Sequence, residues 1–259
     1  NKQNQQVERQ ADLPQETIPY LQPAPGDSPP RLSTGALPED LIQKIDEQFQ
    51  SWLIEDSLYN MKILAPGARM GSFQLKGFRE AVDPQAPPME LVASKASGLL
   101  PLAVDLLHHA DWQLSLKPFE SSAPSNIQLK PGDPSTTLAF HTEIPEQLRV
   151  TKKFTVTPDS YVMDLEILLE NLSDTALEDQ AGISFYFQPY GKPGQEFSDN
   201  VSKLAVFQKG DTSKFQIKDV LQGEAVIHPP LDWVAYANNY FIQAIIPMDS
   251  THFQVVPRV

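Results

Sequence analysis

From Leu58 onward the chain alternates apolar and polar side chains with period two. Tyr59, Met61 and Ile63 oppose Asn60 and Lys62, Pro66-Gly67 supplies a turn, and Phe73 and Leu75 oppose Ser72, Gln74 and Lys76. This predicts a hairpin. The same period returns at Trp112, Leu114 and Leu116, at Leu148, Val150, Phe154 and Val156, and most clearly at Tyr161, Met163, Leu165, Ile167 and Leu169. Ile183, Phe185 and Phe187 predict another strand, as do Phe215 with Ile217, residues 225–227, residues 240–246 and residues 253–256. Ten or so short strands, with no helix between them of the length a parallel crossover needs, predict an all-β antiparallel sandwich. Polar residues on alternate positions leave most strands wet on one side.

The first fifth of the chain follows other rules. Residues 1–36 carry Pro14, Pro19, Pro23, Pro25, Pro29 and Pro30, with Tyr20 the one aromatic. Too little apolar surface is available there to offset ordering entropy, so a disordered or extended tether is expected. Pro38, Glu39 and Asp40 then suit a helix N-terminus, and Leu41, Ile42, Ile45, Phe49 and Trp52 recur at helical spacing. A short amphipathic helix over residues 37–53 is the expectation, with the sandwich filling residues 54–259.

Composition narrows the function. There are 24 Pro, 12 Gly and no Cys among 259 residues. Proline well above the usual ~5% opposes a wholly helical chain. Absence of Cys excludes disulfides, thiolate zinc sites, iron–sulfur clusters and cysteine nucleophiles. A formal net charge of −13 opposes nucleic acid and anionic lipid as partners, and no segregated basic patch offsets it. The most apolar windows, residues 99–107 and 240–248, are interrupted by Asp105 and Gln243 and fall short of the ~20 residues a spanning helix needs. No export-signal pattern opens the chain, and both ends look cut, so a piece of a longer protein is expected.

Few side chains promise chemistry. His108, His109 and Asp111 form the densest metal-capable group. Adjacent residues of a strand point to opposite faces, however, and a third ligand would have to come from far away in sequence, so a surface pair near a loop is expected. His141 and Glu143, at strand spacing, suit general acid/base work on a sugar, but they precede Pro145 and read as a solvated strand end. Lys152 occupies the apolar parity between Val150 and Phe154, which implies either a bulge or a lysine protecting a sheet edge. The run from Trp233 to Phe241 is either an aromatic ligand shelf or the seam where a loop docks on the core. The triplets Asn171-Leu172-Ser173 and Asn200-Val201-Ser202 match the glycosylation pattern without further support. No nucleophile elbow, phosphate loop or dinucleotide fingerprint occurs. No catalytic residue, cofactor site or metal site is assigned.

Three blocks carry a family resemblance. The run Trp233 to Pro247, with Tyr240-Phe241, Ala244 and Ile246-Pro247 in order, resembles a signature of the large periplasmic domain of YidC, the bacterial membrane-protein insertase. Leu58 to Phe78, through Gly67-Ala68-Arg69 and Ser72-Phe73-Gln74-Leu75-Lys76, resembles that family's opening hairpin. Val150 to Val156, with Tyr161 to Leu165 and Asn171-Leu172, resembles its central strand pair. Together the blocks span Leu58 to Pro247. The family's opening turn usually carries two adjacent glycines where this chain has Gly67-Ala68, and its closing strands are expected beyond Val259.

The resemblance implies a β-supersandwich like that of galactose mutarotase, held at the periplasmic face of the inner membrane, with the Pro-rich tether following a transmembrane helix. It implies a non-catalytic interaction and positioning domain of an insertase acting alone or with the Sec translocon. SecDF, chiefly SecF, and nascent membrane proteins are the implied partners. Shared fold does not carry mutarotase catalysis with it. The least regular stretch, residues 198–233, is the candidate partner face. A sugar-binding or sugar-epimerising sandwich and a periplasmic holdase with an exposed apolar groove remain as alternatives.

Overall fold

The computed structural model describes residues 36–42, 48–92, 98–186, 203–216, 227–238, 240–249 and 253–256. The chain divides into two compact units, one spanning residues 30–189 and the other containing everything from residue 190 onward. Expectations for residues 1–35 lie outside the described residues.

Among the described residues, the larger unit holds ten strands in three sheets. Five belong to one sheet, in the order β4 (Pro88–Glu90), β3 (Arg69–Arg79), β2 (Tyr59–Leu64), β1 (Ser51–Glu55) and β6 (Asn126–Gln128). The strands β7 (Thr136–Ile144), β8 (Leu148–Val156) and β9 (Met163–Asn171) form a meander, and β5 (Ala103–Leu106) pairs with β10 (Ala181–Ser184) as a ribbon. Every pair is antiparallel except β1 with β6, which run parallel. The fold is therefore all-β and, with that one exception, antiparallel.

Period-two alternation explains how these strands pack. Tyr59, Met61 and Ile63 on β2 and Leu148, Val150, Phe154 and Val156 on β8 are all buried. Between the five-stranded sheet and the meander, Trp52 meets Phe140 edge-on at 4.9 Å, and within the meander Phe140 meets Phe154 edge-on at 5.6 Å. Burying each such ring contributes about 1.5–3 kcal/mol, with about 0.5–1.5 kcal/mol more for the edge-to-face contact. The Trp52 indole N–H is satisfied at the Ala123 carbonyl, at 3.2 Å.

Several expectations are corrected here. Described helical residues include Glu39–Ile42, but Trp52 and Leu53 belong to β1, where Trp52 pairs with Ile63 and Leu53 with Lys62. Cross-strand pairing on both sides of β1 overrides the helical spacing read at Phe49 and Trp52; residues 43–47 lie outside the described set. Residues 112–117 are not a strand. A 3-10 turn covers Ala110–Trp112, Gln113 adopts a left-handed φ of 48°, and Leu116 N–H donates back to the Gln113 carbonyl. Apolar alternation there reflects a folded turn that buries Leu114.

The second unit contains one described sheet, ordered β12 (Asp211–Gln216), β11 (Lys203–Gln208), β13 (Trp233–Ala237) and β14 (Ile242–Ile245), all antiparallel. Val206, Val234, Leu231 and Ile227 form its core with Leu204, Phe215 and Ile245. Lys209 and Gly210 both have positive φ, as a two-residue hairpin of the type I′ class demands. The stretch 198–233 is thus less irregular than expected. Its residues 203–216 form a hairpin in unbroken register, because apolar Leu204, Val206 and Phe215 all reach one core; residues 198–202 and 217–226 lie outside the described set. No helix among the described residues is long and apolar enough to cross a membrane.

Candidate functional site

Among the described residues, the deepest polar cluster centres on Lys152. Its strand, β8, is the middle strand of the meander and pairs in continuous register with both neighbours, so there is neither bulge nor edge. The expectation of edge protection is overturned: Lys152 is 0% exposed. Its Nζ donates to the carbonyls of Gly67 at 2.6 Å, Leu102 at 2.5 Å and Ala68 at 3.3 Å, and lies 5.7 Å from the centre of the Phe119 ring. Three acceptors match the three N–H groups of an ammonium. All three carbonyls belong to residues with positive φ, in two turns whose backbone oxygens are thereby turned inward.

Two further buried charges complete the cluster. Arg69, at the start of β3, donates from Nε to the Pro66 carbonyl at 3.1 Å. Asp105, inside β5, accepts from the Ser115 N–H at 3.0 Å. Burial pushes Lys152 down to about 7, with Arg69 adding to the fall and Asp105 opposing it. Burial likewise lowers Arg69 to about 10, against the pull of Tyr186 and Asp105. Asp105 is pushed up by burial, while the Ser115 hydrogen bond and the two cations hold it back. Each of the three sheets supplies one charge, so the cluster fixes their mutual placement.

At the solvent end of the β5–β10 ribbon sits a second cluster. The histidine pair is met there by Asp179, a residue the sequence reading did not single out. Its Oδ1 accepts the backbone N–H groups of Leu107 (3.0 Å), His108 (2.9 Å) and Gln180 (2.7 Å), and its Oδ2 meets His109 Nδ1 at 2.6 Å. His108 Nδ1 approaches Oδ1 at 3.2 Å. Burial alone would raise the Asp179 carboxyl, but these hydrogen bonds and the nearby His108 outweigh it and hold the group at about 2. The His109 ring also lies against Trp112, 4.3 Å between centres. Asp111 is exposed on the 3-10 turn, and no group of three His, Asp or Glu among the described residues has the geometry to hold a metal ion. This carboxylate ties two loops together through hydrogen bonds.

His141 and Glu143 occupy the outward face of β7, both exposed. Glu143 pairs with Arg149 at 2.6 Å, and Arg149 reaches Glu170 at 2.7 Å, making a charge ladder across β7, β8 and β9. Phe140 and Leu138 point the other way, into the core. Sheet alternation therefore places the imidazole and carboxylate on a solvated surface. Asn171 turns the chain after β9, donating to the Thr175 carbonyl and accepting from Ser173.

The aromatic run resolves into a hairpin. Trp233–Ala237 is β13, Asn238 accepts the N–H groups of Tyr240 and Phe241 to make the turn, and Ile242–Ile245 returns as β14. With the strands and turns of all three sequence blocks in place, comparison with known proteins is decisive. A family model described as the YidC periplasmic domain matches residues 51–258. The chain belongs to the YidC periplasmic domain family. It is 51% identical over 224 residues to the membrane protein insertase YidC of Syntrophobacter fumaroxidans, covering 86% of this chain and 40% of the relative. To the insertase YidC of Syntrophus aciditrophicus it is 26% identical over 250 residues, 96% of this chain and 44% of the relative. The chain thus spans about two-fifths of the length of these curated relatives. Among solved structures, a galactose mutarotase-like protein from Lactobacillus casei is similar at 12% identity and a TM-score of 0.49, covering 78% of this chain and 84% of that one.

The YidC periplasmic domain family is non-enzymatic. In this member the first and central sequence blocks meet at Lys152, which grips the Gly67-Ala68 turn from the facing sheet. Gly67 has a φ of 68°, and a Cβ there would run into the Ser115 carbonyl. Ala68, where the family usually has a second glycine, holds a φ of 42°, a conformation that costs an L-residue about 1–2 kcal/mol. Two lone charges on apolar runs, Lys152 on β8 and Asp105 in residues 99–107, were the sequence signal for the buried cluster. Asp179 carried no such signal.

Proposed function

We propose that this chain is the interaction and positioning module of a membrane-protein insertase, non-catalytic in itself, at the periplasmic face of the bacterial inner membrane. SecDF, chiefly SecF, is the proposed partner, and nascent membrane proteins are the proposed clients of the parent protein. The reading rests on the family match across residues 51–258. The geometry supports it in one respect: the histidines and carboxylates that suggested chemistry are engaged in hydrogen bonds between loops or stand on a solvated sheet surface. A positioning module needs a rigid frame and a surface, and a sandwich pinned by buried charges supplies the frame.

Co-purification tests the proposal. Deleting residues 51–258 from the parent insertase is expected to abolish SecDF recovery while the membrane-embedded remainder is still produced. Undiminished recovery would remove the reading.

A further inference from the structure

The described structure begins with a short strap, residues 36–42, that lies on a glycine turn. Leu37 N–H donates to the Gly98 carbonyl at 3.0 Å, and the Leu37 side chain, 5% exposed, belongs to the core of the larger unit. Glu39–Ile42 then makes a single helical turn, closed by the Ile42 N–H on the Pro38 carbonyl at 3.1 Å, and lays Ile42 half-buried against the same core. Gly98 is shaped for this contact. Its φ is +71°, and a Cβ there would stand 2.6 Å from the Leu37 carbonyl oxygen and 2.8 Å from Ile42 Cδ1. Only a residue without a side chain lets the two backbones come this close.

The strap is held far more weakly than the strand it leads to. Among the described residues one backbone hydrogen bond ties it to the rest of the unit, whereas β1 is paired over five residues with β2 and over three with β6. A single helical turn has no stability of its own, so what holds the strap among the described residues is Leu37, Ile42 and the close fit at Gly98. Ala36, Pro38 and Glu39 are exposed. Segments with few buried contacts open locally at a fraction of the free energy of global unfolding. A pull on the chain before Ala36 falls on Leu37 before it reaches β1.

We propose that residues 36–42 form a clasp, a strap that opens at Gly98 while the sandwich stays folded and so switches the reach of the segment preceding it. The proposal rests on the positioning role above, with the segment before Ala36 joining the sandwich to the membrane, and it names how that role is regulated. Closed, the clasp fixes the Gly98 turn as the point where that segment meets the sandwich. Open, it releases the chain as far as Phe49, the next described residue packed on the core, adding up to about 40 Å of extended chain. That gain exceeds the hydrocarbon thickness of a bilayer, about 30 Å, so it alters what a membrane-tethered module can meet.

The test uses the full 259-residue chain, which has no Cys, spin-labelled at Ala36→Cys and at Ala139→Cys on the exposed face of β7. Gly98→Ala is expected to turn one narrow distance between the labels into a broad distribution that extends to longer values. Hydrogen exchange within residues 36–42 is expected to quicken about tenfold or more while β2 and β8 keep their protection. Gly132→Ala controls for backbone strain: its φ is +87° and nothing lies within 4 Å of the added Cβ, so the clasp should stay shut. Leu37→Asp should open the clasp from the other side of the contact, which keeps the test intact if Gly98→Ala fails to fold. A distribution unchanged by both Gly98→Ala and Leu37→Asp, or exchange in residues 36–42 that rises only in step with β2 and β8, would overturn the proposal. So would a native chain whose distribution is already as broad as that of Leu37→Asp. In the parent, SecDF recovery that needs residues 51–258, beside a strap that never opens alone, would remove the clasp and leave the positioning role standing. A clasp that opens in a parent whose SecDF recovery ignores residues 51–258 would do the reverse.

Discussion

Asp105 and Asp179 lie along the same two-stranded ribbon, yet their surroundings drive them in opposite directions. Asp105 sits inside β5 opposite Gly182, and burial raises its carboxyl. Asp179 lies just before β10, with a side chain that is 4% exposed, and hydrogen bonds lower it to about 2. Both side chains are shielded, Asp105 much more deeply than Asp179, and burial pushes each carboxyl upward. The two also differ in the number of N–H groups aimed at each carboxylate: three backbone donors and an imidazole at Asp179, against one backbone donor and the field of two cations at Asp105. The loops just beyond the ribbon stabilise a charge, whereas the ribbon itself tolerates one to join three sheets.

The largest effect should come from the buried cluster that holds Asp105. Lys152→Met keeps the apolar stem but leaves three inward carbonyls without a donor and Asp105 with one cation fewer. A loss of about 3–5 kcal/mol is expected, read from the urea midpoint. Adding Asp105→Asn to that variant should recover part of the loss, and a single-variant loss under about 1 kcal/mol would mean the cluster is not an energetic unit.

Alkaline titration gives a second contrast at the same residue. The folded Lys152 value of about 7 lies below its usual 10.5, so between these limits the unfolded chain binds a proton that the folded chain lacks. Stability should therefore rise with pH from about 7 to 10.5, and the rise should vanish in Lys152→Met. A flat profile in the parent chain across that window would contradict the assignment.

Acid titration compares the two carboxylates directly. Asp179 is lowered, so its contribution is complete above 3.8 and is lost as pH falls through about 2. Asp105 is raised, so its burial cost grows as pH climbs above 3.8. Asp179→Ala should cost about 2 kcal/mol near neutrality and remove the first slope, while Asp105→Asn should remove only the second; unfolding curves at several pH values separate them. The smallest effect belongs to Arg149→Ala on the exposed ladder, where the thermal midpoint should not measurably move.

Much of this was legible in the residues. Strands β2, β3, β8 and β9 follow from alternation, because β2, β8 and the first half of β3 bury apolar side chains in a single core, against which Met163 and Leu165 of β9 pack half-buried. Short strands with both neighbours paired, such as β1, carry too few residues to reveal a period, and Trp52 was drawn into a helical pattern instead. Residues 112–117 alternate as a strand does, yet a left-handed Gln113 folds them into a turn. The histidine pair was visible, but its partner Asp179 lies some seventy residues away and is brought near only by the β5–β10 pairing.

By itself the sequence determined the all-β class, the family, and the presence of a lysine among apolar neighbours on β8. Those depend on local periodicity and on residue order, which a linear chain displays. Tertiary structure alone decided that Lys152 is interior and that its partners are the carbonyls of two left-handed turns. Such facts are set by which strands pair and in what register, and register is fixed by contacts between residues distant in sequence.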